Sequence, residues 1–305
     1  IEMYNTMGGR FWKKSDNWLN PGRPVCEWYG IICDDDGDYV TGINMKDNDL
    51  EGTFPSALFS LEKLNSINLS GNSIDFPFDG IEAAKALEFL DLTHTDLTSI
   101  EGIKSLSETS IKRLKLTSNY LQGTVPTAFF QLVTLEELAF SHNKFEGPLP
   151  PQVGDLTNLQ RLKLYGNNVS GNLPTQLGLL TNLVELDLSE NAFGGPLPSE
   201  LNKLVKLEKF SLHQTGSTGL TGNLLSFQDL TQLTSLQLDS NMLDGDLPSS
   251  FLSNTQVGDQ RIEIRLSDNA FSGAIPSAWE TRFDNLFLDL SGNKITSIPS
   301  DLCDN

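Results

Sequence analysis

The chain has 305 residues, 38% of them hydrophobic, and its 40 acidic against 21 basic residues give a formal net charge of −19. This charge argues against nucleic acid and anionic membrane surfaces as partners, because proteins bind both largely through Lys and Arg. The sequence contains no run of 18 apolar residues that could span a bilayer, and no leader segment follows Ile1, so we expect a processed or trimmed chain.

The first 39 residues are predicted to form an N-terminal cap. Residues 1–7 favour a short helix that ends before Gly8 and Gly9. Four aromatic residues would cover the apolar end of the structure that follows, which otherwise meets water. They are Trp12, Trp18, Trp28 and Tyr29.

Two cysteines of this segment, Cys26 and Cys33, are seven residues apart. They could form half of a zinc site, but no second pair and no nearby histidine completes it. We therefore expect a local disulfide, which places the chain in an oxidising compartment.

Residues 34–38, Asp-Asp-Asp-Gly-Asp, are strongly acidic. A calcium-binding loop would need a glycine where Tyr39 stands. The pair Asp36-Gly37 instead favours the turn of a hairpin.

From residue 40 onward one frame recurs, Leu-x-x-Leu-x-Leu-x-x-Asn, as in residues 159–167. The spacing of its last position is 24 residues, apart from 23 before Thr95, 26 before Asn241 and 28 before Asn269. Eleven copies predict a repeat protein over residues 40–302, whose copies stack because none can bury its apolar face alone. The last position is filled by Asn48, Asn72, Thr95, Asn119, Asn143, Asn167, Asn191, Thr215, Asn241, Asn269 and Asn293.

Each part of the frame has a predicted structural role. The apolar residues five and three positions before the asparagine, such as Leu162 and Leu164, would point into the core from a short strand. The asparagine can bond backbone groups of its own coil and of a neighbouring one, and threonine keeps part of that bonding. An apolar-x-Gly step and an apolar-Pro pair follow, as in residues 169–174, and the proline can stop sheet pairing and start a helical turn.

The complete frame, Leu-x-x-Leu-x-Leu-x-x-Asn-x-Leu-x-Gly-x-Ile/Leu-Pro, resembles the plant-type extracellular leucine-rich repeat. Trp28-Tyr29-Gly30-Ile31, between the two cysteines, is similar to the N-terminal cap of that family. The resemblance implies a right-handed solenoid, mainly β, with a parallel concave sheet and short helical or 3-10 turns on the convex side. In the family such chains are ectodomains of receptor kinases and receptor-like proteins, or secreted proteins similar to polygalacturonase inhibitors.

Cys303 follows the last copy of the repeat. A C-terminal cap of the family often carries its own cysteine pair, so residues 303–305 are expected to begin a cap that is missing or truncated, with the natural chain continuing beyond Asn305. The alternative is a chain that ends there with an odd free thiol.

The residues six, four and two positions before each asparagine are predicted to face outward on the concave sheet. Four basic residues fall at these positions in an otherwise acidic region, at 113, 115, 161 and 163, with acidic residues beside them. They could bind a carboxylate, a sulfate or an acidic peptide end, or they could form solvated ion pairs across the strands. The candidate ligand-binding residues are Phe89, Arg113, Lys115, Glu137, Arg161, Lys163, Tyr165, Glu185, Asp187, Lys209 and His213.

Other residue types suggest fewer sites. Phe89 is expected to be an exposed contact residue, whereas Phe287, at the same frame position, could lie under a C-terminal cap. The three histidines stand two or three copies apart, about 10 to 15 Å along the stack, which is too far for one metal ion.

Two glycosylation sequons are present, Asn68-Leu69-Ser70 on the concave side and Asn168-Val169-Ser170 in a turn.

No catalytic motif or phosphate-binding loop is found, so we expect neither an enzyme nor a cofactor or metal. The sequence predicts an extracellular ligand-recognition module, most simply a receptor ectodomain that binds a peptide or protein on its concave face, with a co-receptor as a further partner. Two alternatives remain open. They are a secreted binding or inhibitor protein of the cell wall, and a structural or adhesive extracellular protein.

Overall fold

Short strands recur along the chain at the spacing of the sequence repeat. The computed structural model describes residues 1–214, 219–258, 260–279, 283 and 285–300. Its contacts divide the chain into a first unit, Ile1–Gln122 with Gln131–Lys144, and a second unit, Gly123–Phe130 with Phe145–Asn305. Each unit is described by itself.

One α-helix, α1 (Glu2–Thr6), precedes the strands and confirms the helix predicted for the first residues. The strands in chain order are β1 (Ile31–Cys33), β2 (Val40–Asn44), β3 (Glu51–Thr53), β4 (Ser66–Asn68), β5 (Ser73–Asp75), β6 (Phe89–Asp91), β7 (Arg113–Lys115), β8 (Gln122–Thr124), β9 (Glu137–Ala139), β10 (Lys144–Pro148), β11 (Arg161–Lys163), β12 (Asn168–Asn172), β13 (Glu185–Asp187), β14 (Ala192–Gly194), β15 (Lys209–Ser211), β16 (Thr221–Asn223), β17 (Ser235–Gln237), β18 (Met242–Asp246), β19 (Ile262–Arg265), β20 (Ala270–Ala274), β21 (Leu286–Asp289) and β22 (Lys294–Ser297).

Six strands of each unit lie side by side, and we call these six strands the front sheet of that unit. In the first unit the order is β1-β2-β4-β6-β7-β9, and in the second it is β11-β13-β15-β17-β19-β21. All neighbours within these two sheets are parallel except β1 and β2, which form an antiparallel hairpin. The inward residues predicted from the frame, such as Leu114, Leu162 and Leu186, are fully buried, which confirms the short parallel strands and their core-facing positions.

The asparagines form the predicted ladder between coils. The Nδ2 atom of Asn72 donates to the carbonyl oxygens of Met45, at 2.9 Å, and Leu69, at 2.7 Å. Its Oδ1 atom accepts from the backbone N–H of Leu50 at 2.9 Å. At Thr95 the hydroxyl keeps one such bond, to the carbonyl three residues before it, at 2.7 Å. Each coil is thus held by a side chain of the coil after it.

The residue directly before each ladder position has left-handed backbone geometry throughout the described chain. His94 has a φ of 55° and His142 a φ of 50°, although such angles are unfavourable for residues with a Cβ atom. Bonds between coils hold this turn, since the N–H of His94 donates to the carbonyl of Thr117 at 2.8 Å. The residues in this geometry are Asp47, Gly71, His94, Ser118, His142, Gly166, Glu190, Gln214, Ser240, Asp268 and Gly292.

Further parallel sheets lie after the ladder turns, where the frame predicted only a glycine step. The first unit has the pair β3-β5, and the second has the four-stranded sheets β8-β10-β12-β14 and β16-β18-β20-β22, with β8 and β10 beginning at the division between the units. We call these the back sheets. They use the apolar-x-Gly residues as short strands, which is an element that the repeat pattern alone did not predict.

The apolar-Pro pairs start helical turns as expected. Single 3-10 helices begin directly after Pro55, Pro150, Pro174 and Pro198. Other 3-10 helices follow a left-handed glycine instead, at Gly80 and Gly102. The 3-10 helices span Gly9–Phe11, Val25–Glu27, Ser56–Ser60, Ile81–Ala83, Ile103–Glu108, Thr127–Gln131, Pro151–Asp155, Thr175–Leu179, Ser199–Lys203 and Ser277–Trp279.

Three of the four aromatic residues predicted for the N-terminal segment pack together, and the predicted disulfide is present. The ring of Trp18 lies 4.9 Å from those of Trp12 and Trp28. Cys26 and Cys33 are bonded to each other, which confirms the disulfide. Cys303 and the predicted start of a C-terminal cap lie outside the described residues, as does Thr215.

The acidic segment after Cys33 is the turn of the β1–β2 hairpin, as predicted. The Asp34 N–H donates to the carbonyl of Tyr39, and Gly37 has a φ of 75°. The Asp34 carboxylate accepts the backbone N–H of Tyr39 and the Lys63 ammonium. The hydrogen bond from Tyr39, helped by Lys63 and Asp38, holds the pKa of Asp34 below its ordinary value.

Candidate ligand-binding site

Four candidate residues lie together on the front sheet of the first unit. Phe89, Arg113 and Glu137 are in register on β6, β7 and β9. The Arg113 guanidinium lies 4.8 Å from the centre of the Phe89 ring, and the Lys115 ammonium lies 5.9 Å from it. The same ammonium forms an ion pair of 3.3 Å with Glu137. This surface therefore presents an aromatic ring with two cations over it, one of them already neutralised.

The outward positions of β9 are buried, contrary to the sequence-based expectation that they face solvent. Glu137 is 8% exposed, Ala139 5% and Ser141 0%. Ala139 and Ser141 are short beside the long side chain of Lys115, whose ammonium lies against Glu137. Among the described atoms, the Ser141 hydroxyl has no hydrogen-bond partner. Glu137 is therefore better placed to neutralise the charge of the Lys115 ammonium than to contact a ligand.

The remaining candidates lie in the second unit. Arg161, Glu185 and Lys209 are in register on β11, β13 and β15. Lys163 and Glu185 form an ion pair of 2.9 Å across β11 and β13. The basic residues considered as one cluster are thus divided between the units, and the lysine of each pair is bound to a carboxylate of the next strand.

Two further candidates in the second unit, Tyr165 and His213, are both half-buried. The backbone N–H of His213 donates to the Ser189 hydroxyl at 3.4 Å, and its carbonyl accepts the N–H of Glu190. His213 is therefore tied into the stack through its backbone, while its ring stands at the end of β15.

A polar groove of about 360 Å³ runs over β13, β15, β17 and β19 of the second unit. Three candidates line it, Glu185, Asp187 and Lys209. A volume near this size suits a ligand fragment or a few peptide residues. The other lining residues are Leu186, Ser211, Thr234, Ser235, Gln237, Arg261 and Glu263.

Several of these lining residues were not among the candidates. Ser235 and Gln237 stand six and four positions before Asn241, and Glu263 stands six before Asn269. The frame that identified the middle copies could therefore have found them in the next two. Arg261 precedes the frame positions, so the repeat pattern carries no signal for it.

The C-terminal side of this sheet carries a second aromatic ring with cations over it. The guanidinium groups of Arg261 and Arg265 lie 5.1 and 5.4 Å from the centre of the Phe287 ring. Arg265 also donates from Nε to the Glu263 carboxylate, and this bond raises its pKa further. Hydrogen bonds from the hydroxyl and N–H of Ser291 lower the pKa of Asp289 nearby.

The two sequons differ in position. Asn68 lies on β4 of a front sheet, as expected, and its Oδ1 atom accepts from the N–H and hydroxyl of Ser70. Asn168 is exposed, but it begins the back-sheet strand β12 and does not lie in a turn, because the apolar-x-Gly step pairs as a strand.

The described part of the chain offers neither a metal-binding group of side chains nor a membrane-spanning helix. There, no group of three or more His, Cys, Asp or Glu side chains is arranged to hold a metal ion. None of the helices found there combines the length and hydropathy needed to cross a bilayer.

Comparison with known proteins identifies relatives of the repeat. Leucine rich repeat family models match residues 109–169, and separately residues 182–204 and 286–305. Pollen receptor-like kinase 2 of Arabidopsis thaliana is 28% identical over 132 residues, which are 42% of this chain and 20% of that protein. The match thus spans only about a fifth of the relative's length.

Solved structures show the same fold over nearly the whole chain. One is the ectodomain of the Arabidopsis thaliana membrane receptor kinase GASSHO1/SCHENGEN3 in complex with CASPARIAN STRIP INTEGRITY FACTOR 2. It has a TM-score of 0.76 and 26% identity over 95% of this chain and 40% of that one. Another is the Arabidopsis receptor kinase HAESA with the peptide hormone IDA and the co-receptor SERK1. It has a TM-score of 0.69 and 26% identity over 94% of this chain and 55% of that one.

Proposed function

Because the chain is a leucine-rich-repeat protein related to plant receptor-like kinases, we propose that it is the ligand-recognition part of an extracellular receptor. It binds a peptide or protein on its front sheets and does not catalyse a reaction. The similar ectodomains solved with a peptide hormone or a co-receptor support this proposal. They also support a location on the outer face of the plasma membrane, or a secreted one, and a co-receptor as a further partner.

The observation that carries the proposal is the groove on the front sheet of the second unit. The inward residues of these strands are uniformly apolar and buried, whereas the outward residues differ in charge and size from strand to strand. Glu185, Lys209, Ser235 and Glu263 follow one another in register across four strands. A row of chemically different groups on a rigid sheet is suited to selecting one extended ligand.

The test is affinity selection with a synthetic library of random octapeptides, followed by mass spectrometry of the retained peptides. We expect a small set of related sequences to be retained by the 305-residue chain with its disulfide intact. Substituting two groove residues, Ser235→Arg with Gln237→Arg, should abolish retention by filling the floor of the groove. A matched pair on the back-sheet strand β16, Thr221→Arg with Asn223→Arg, adds the same charge at the same spacing and should leave retention unchanged. Failure to retain any peptide, or equal loss with both pairs, would contradict the proposal.

The receptor assignment needs a separate measurement on the native protein. Its intact mass and its partition between membrane and soluble fractions of the source cells distinguish a receptor from a secreted binder. A protein much longer than 305 residues that stays with membranes is the expected result. A secreted protein ending near Asn305 would leave the binding role and remove the receptor role.

A further inference from the structure

A cavity of about 160 Å³ lies at the N-terminal end of the first unit. Its walls come from the start of α1, the hairpin strands β1 and β2, and two 3-10 helices, Val25–Glu27 and Ser56–Ser60. Every side chain that lines it is hydrophobic except that of Glu2, which is exposed. The groove proposed for peptide recognition belongs to the second unit, so this cavity is a separate feature.

Two tryptophans form part of the wall, and their polar atoms are already bonded. The rings of Trp18 and Trp28 lie 4.9 Å apart, and both line the cavity. The Nε1–H of Trp18 donates to the carbonyl of Tyr29 at 2.9 Å, and that of Trp28 donates to the carbonyl of Arg23 at 3.3 Å. Neither Tyr29 nor Arg23 lines the cavity, so the two indole donors are not available to an occupant.

The size and polarity of the cavity define the class of molecule that it can hold. An apolar cavity of about 150 Å³ in a protein stays dry and takes up benzene, because a water molecule there finds too few hydrogen-bond partners. The volume at this site is close to that value. A charged molecule would lose its hydration without gaining a partner, and Glu2 would also repel an anion. An uncharged aromatic ring meets these conditions and can pack against the two indole rings.

The cavity has a buried floor and an exposed mouth. Met3 and Ile43 are buried within the first unit. Ile1 and Val25 line the same space and are exposed, so one side is open to solvent. A small molecule can therefore enter while the β1–β2 hairpin stays folded.

From this arrangement we infer that the N-terminal end of the chain binds one small uncharged aromatic molecule, about the size of benzene, against Trp18 and Trp28. The volume holds a single ring with small substituents. This site is independent of the recognition function proposed for the second unit, so neither proposal depends on the other.

The test is a titration of fluorobenzene into the 305-residue chain with its disulfide intact, followed by fluorine NMR of the ligand and by tryptophan fluorescence. We expect saturable binding, with half-saturation at about 1 mM or below. The molecule 4-fluorobenzoate carries the same ring with a charge and should not saturate the site, because its carboxylate would be buried without a partner. Equal binding of the two molecules, or no saturable binding of fluorobenzene, would overturn the inference.

A cavity-filling variant and a matched control locate the site. Val40→Phe adds a ring inside the cavity, whereas Val133→Phe adds the same ring at an exposed position of the same unit outside it. The first should weaken fluorobenzene binding about tenfold or more, and the second should leave it within about twofold. Circular dichroism verifies the fold of each variant. Equal losses with both variants would overturn the inference.

An enlarged cavity gives a second test if Val40→Phe does not fold. Leu58 is half-buried and lines the cavity, so Leu58→Ala creates additional space there. The preference for 1-fluoronaphthalene over fluorobenzene should rise about fivefold or more in this variant, because the larger ring system gains room. An unchanged preference would show that the ligand binds elsewhere and would overturn the inference.

A second copy of the chain is the other occupant that must be distinguished. Sedimentation velocity at rising protein concentration should show the same oligomeric state with and without fluorobenzene. A second copy seated in the cavity would instead be released by fluorobenzene and by Val40→Phe, and that result would overturn the inference.

Discussion

The backbone N–H of Leu97 donates a hydrogen bond of 2.9 Å to the side-chain oxygen of Asn119, which stands 22 residues later in the chain. The same side chain donates to the carbonyl of Leu92 at 2.8 Å. Asn119→Ala would leave these buried groups unpaired, so we expect a loss of about 3 kcal/mol in the free energy of unfolding. Asn119→Thr should cost about half as much, since a threonine at 95 keeps part of the ladder.

Urea unfolding measures both variants against Gln122→Ala, an exposed change in the same coil. An Asn119→Ala variant as stable as this control would show that the ladder does not hold the coils together.

Gly52 allows the helix α1 to pack closely against the back-sheet strand β3. An added Cβ atom there would overlap the backbone carbonyl oxygen of Thr6, and its φ is 100°. Gly123 has a similar φ of 85°, but its Cβ would meet no atom within 4 Å. Gly123→Ala should therefore cost about 1 kcal/mol from backbone strain alone, and Gly52→Ala about 2 kcal/mol or more. Thermal or urea unfolding of the two variants gives the comparison, and equal losses would contradict the packing argument.

The Cys26–Cys33 disulfide closes a short loop next to the first strand. In the chain-entropy description such a loop contributes about 2.5 kcal/mol, because it restricts the unfolded chain. The variant Cys26→Ala with Cys33→Ala should lose about that amount in urea unfolding. Adding a reductant should destabilise the unaltered chain and leave the variant unchanged. A variant as stable as the oxidised protein would contradict this role.

Asp34 should make the stability of the hairpin depend on pH. Its pKa lies below the ordinary value of 3.8 because the Tyr39 N–H and the Lys63 ammonium bond its charged form. A depressed folded-state pKa means that the stabilisation is fully present above the unfolded-state pKa and is lost as pH falls through the folded-state pKa. Carboxyl NMR titration should show Asp34 titrating below pH 3.8, and Lys63→Met should move it upward. Stability below pH 5 should fall less steeply in Asp34→Asn, and an unchanged slope would contradict the prediction.

Both sequons are expected to carry glycans when the protein is made in a secretory pathway. Asn168 is exposed, and the described bonds of Asn68 use its Oδ1 atom and not the Nδ2 atom to which a sugar is attached. Deglycosylation in water labelled with oxygen-18, followed by peptide mass analysis, identifies each occupied asparagine as labelled aspartate. Unlabelled peptides at both positions would contradict the prediction, and Asn68→Gln and Asn168→Gln serve as controls.

The repeating elements could be predicted because each depends on a residue that recurs in phase. Inward leucines such as Leu162, the ladder asparagines and the helical turn after Pro174 require only the frame and elementary stereochemistry. The back sheets could not be predicted in this way. Residues such as those of β12 form a strand only when the backbone of the neighbouring coil lies in register at hydrogen-bonding distance. That depends on the stack and not on the local sequence.

The candidate site was less predictable, because charge balance depends on the direction in which each long side chain turns. Arg113, Lys115, Arg161 and Lys163 look alike in the sequence. In the structure Lys115 and Lys163 are neutralised across the strands, and Arg113 stacks on Phe89. Lys209 was a candidate by its position in the frame, and the structure distinguishes it from Lys163 because it forms no ion pair with a described residue.

The direction of the asparagine ladder has a consequence for synthesis on the ribosome. The N–H of Leu50 donates to Asn72, and that of Leu97 donates to Asn119. Each of these turns therefore needs a residue that stands 22 positions later in the chain. When the chain emerges with its N-terminus first, the newest coil lacks these side-chain partners until the coil after it has also emerged. We therefore expect folding to follow translation one coil behind, so that a pause in elongation leaves the last emerged coil without its ladder bonds.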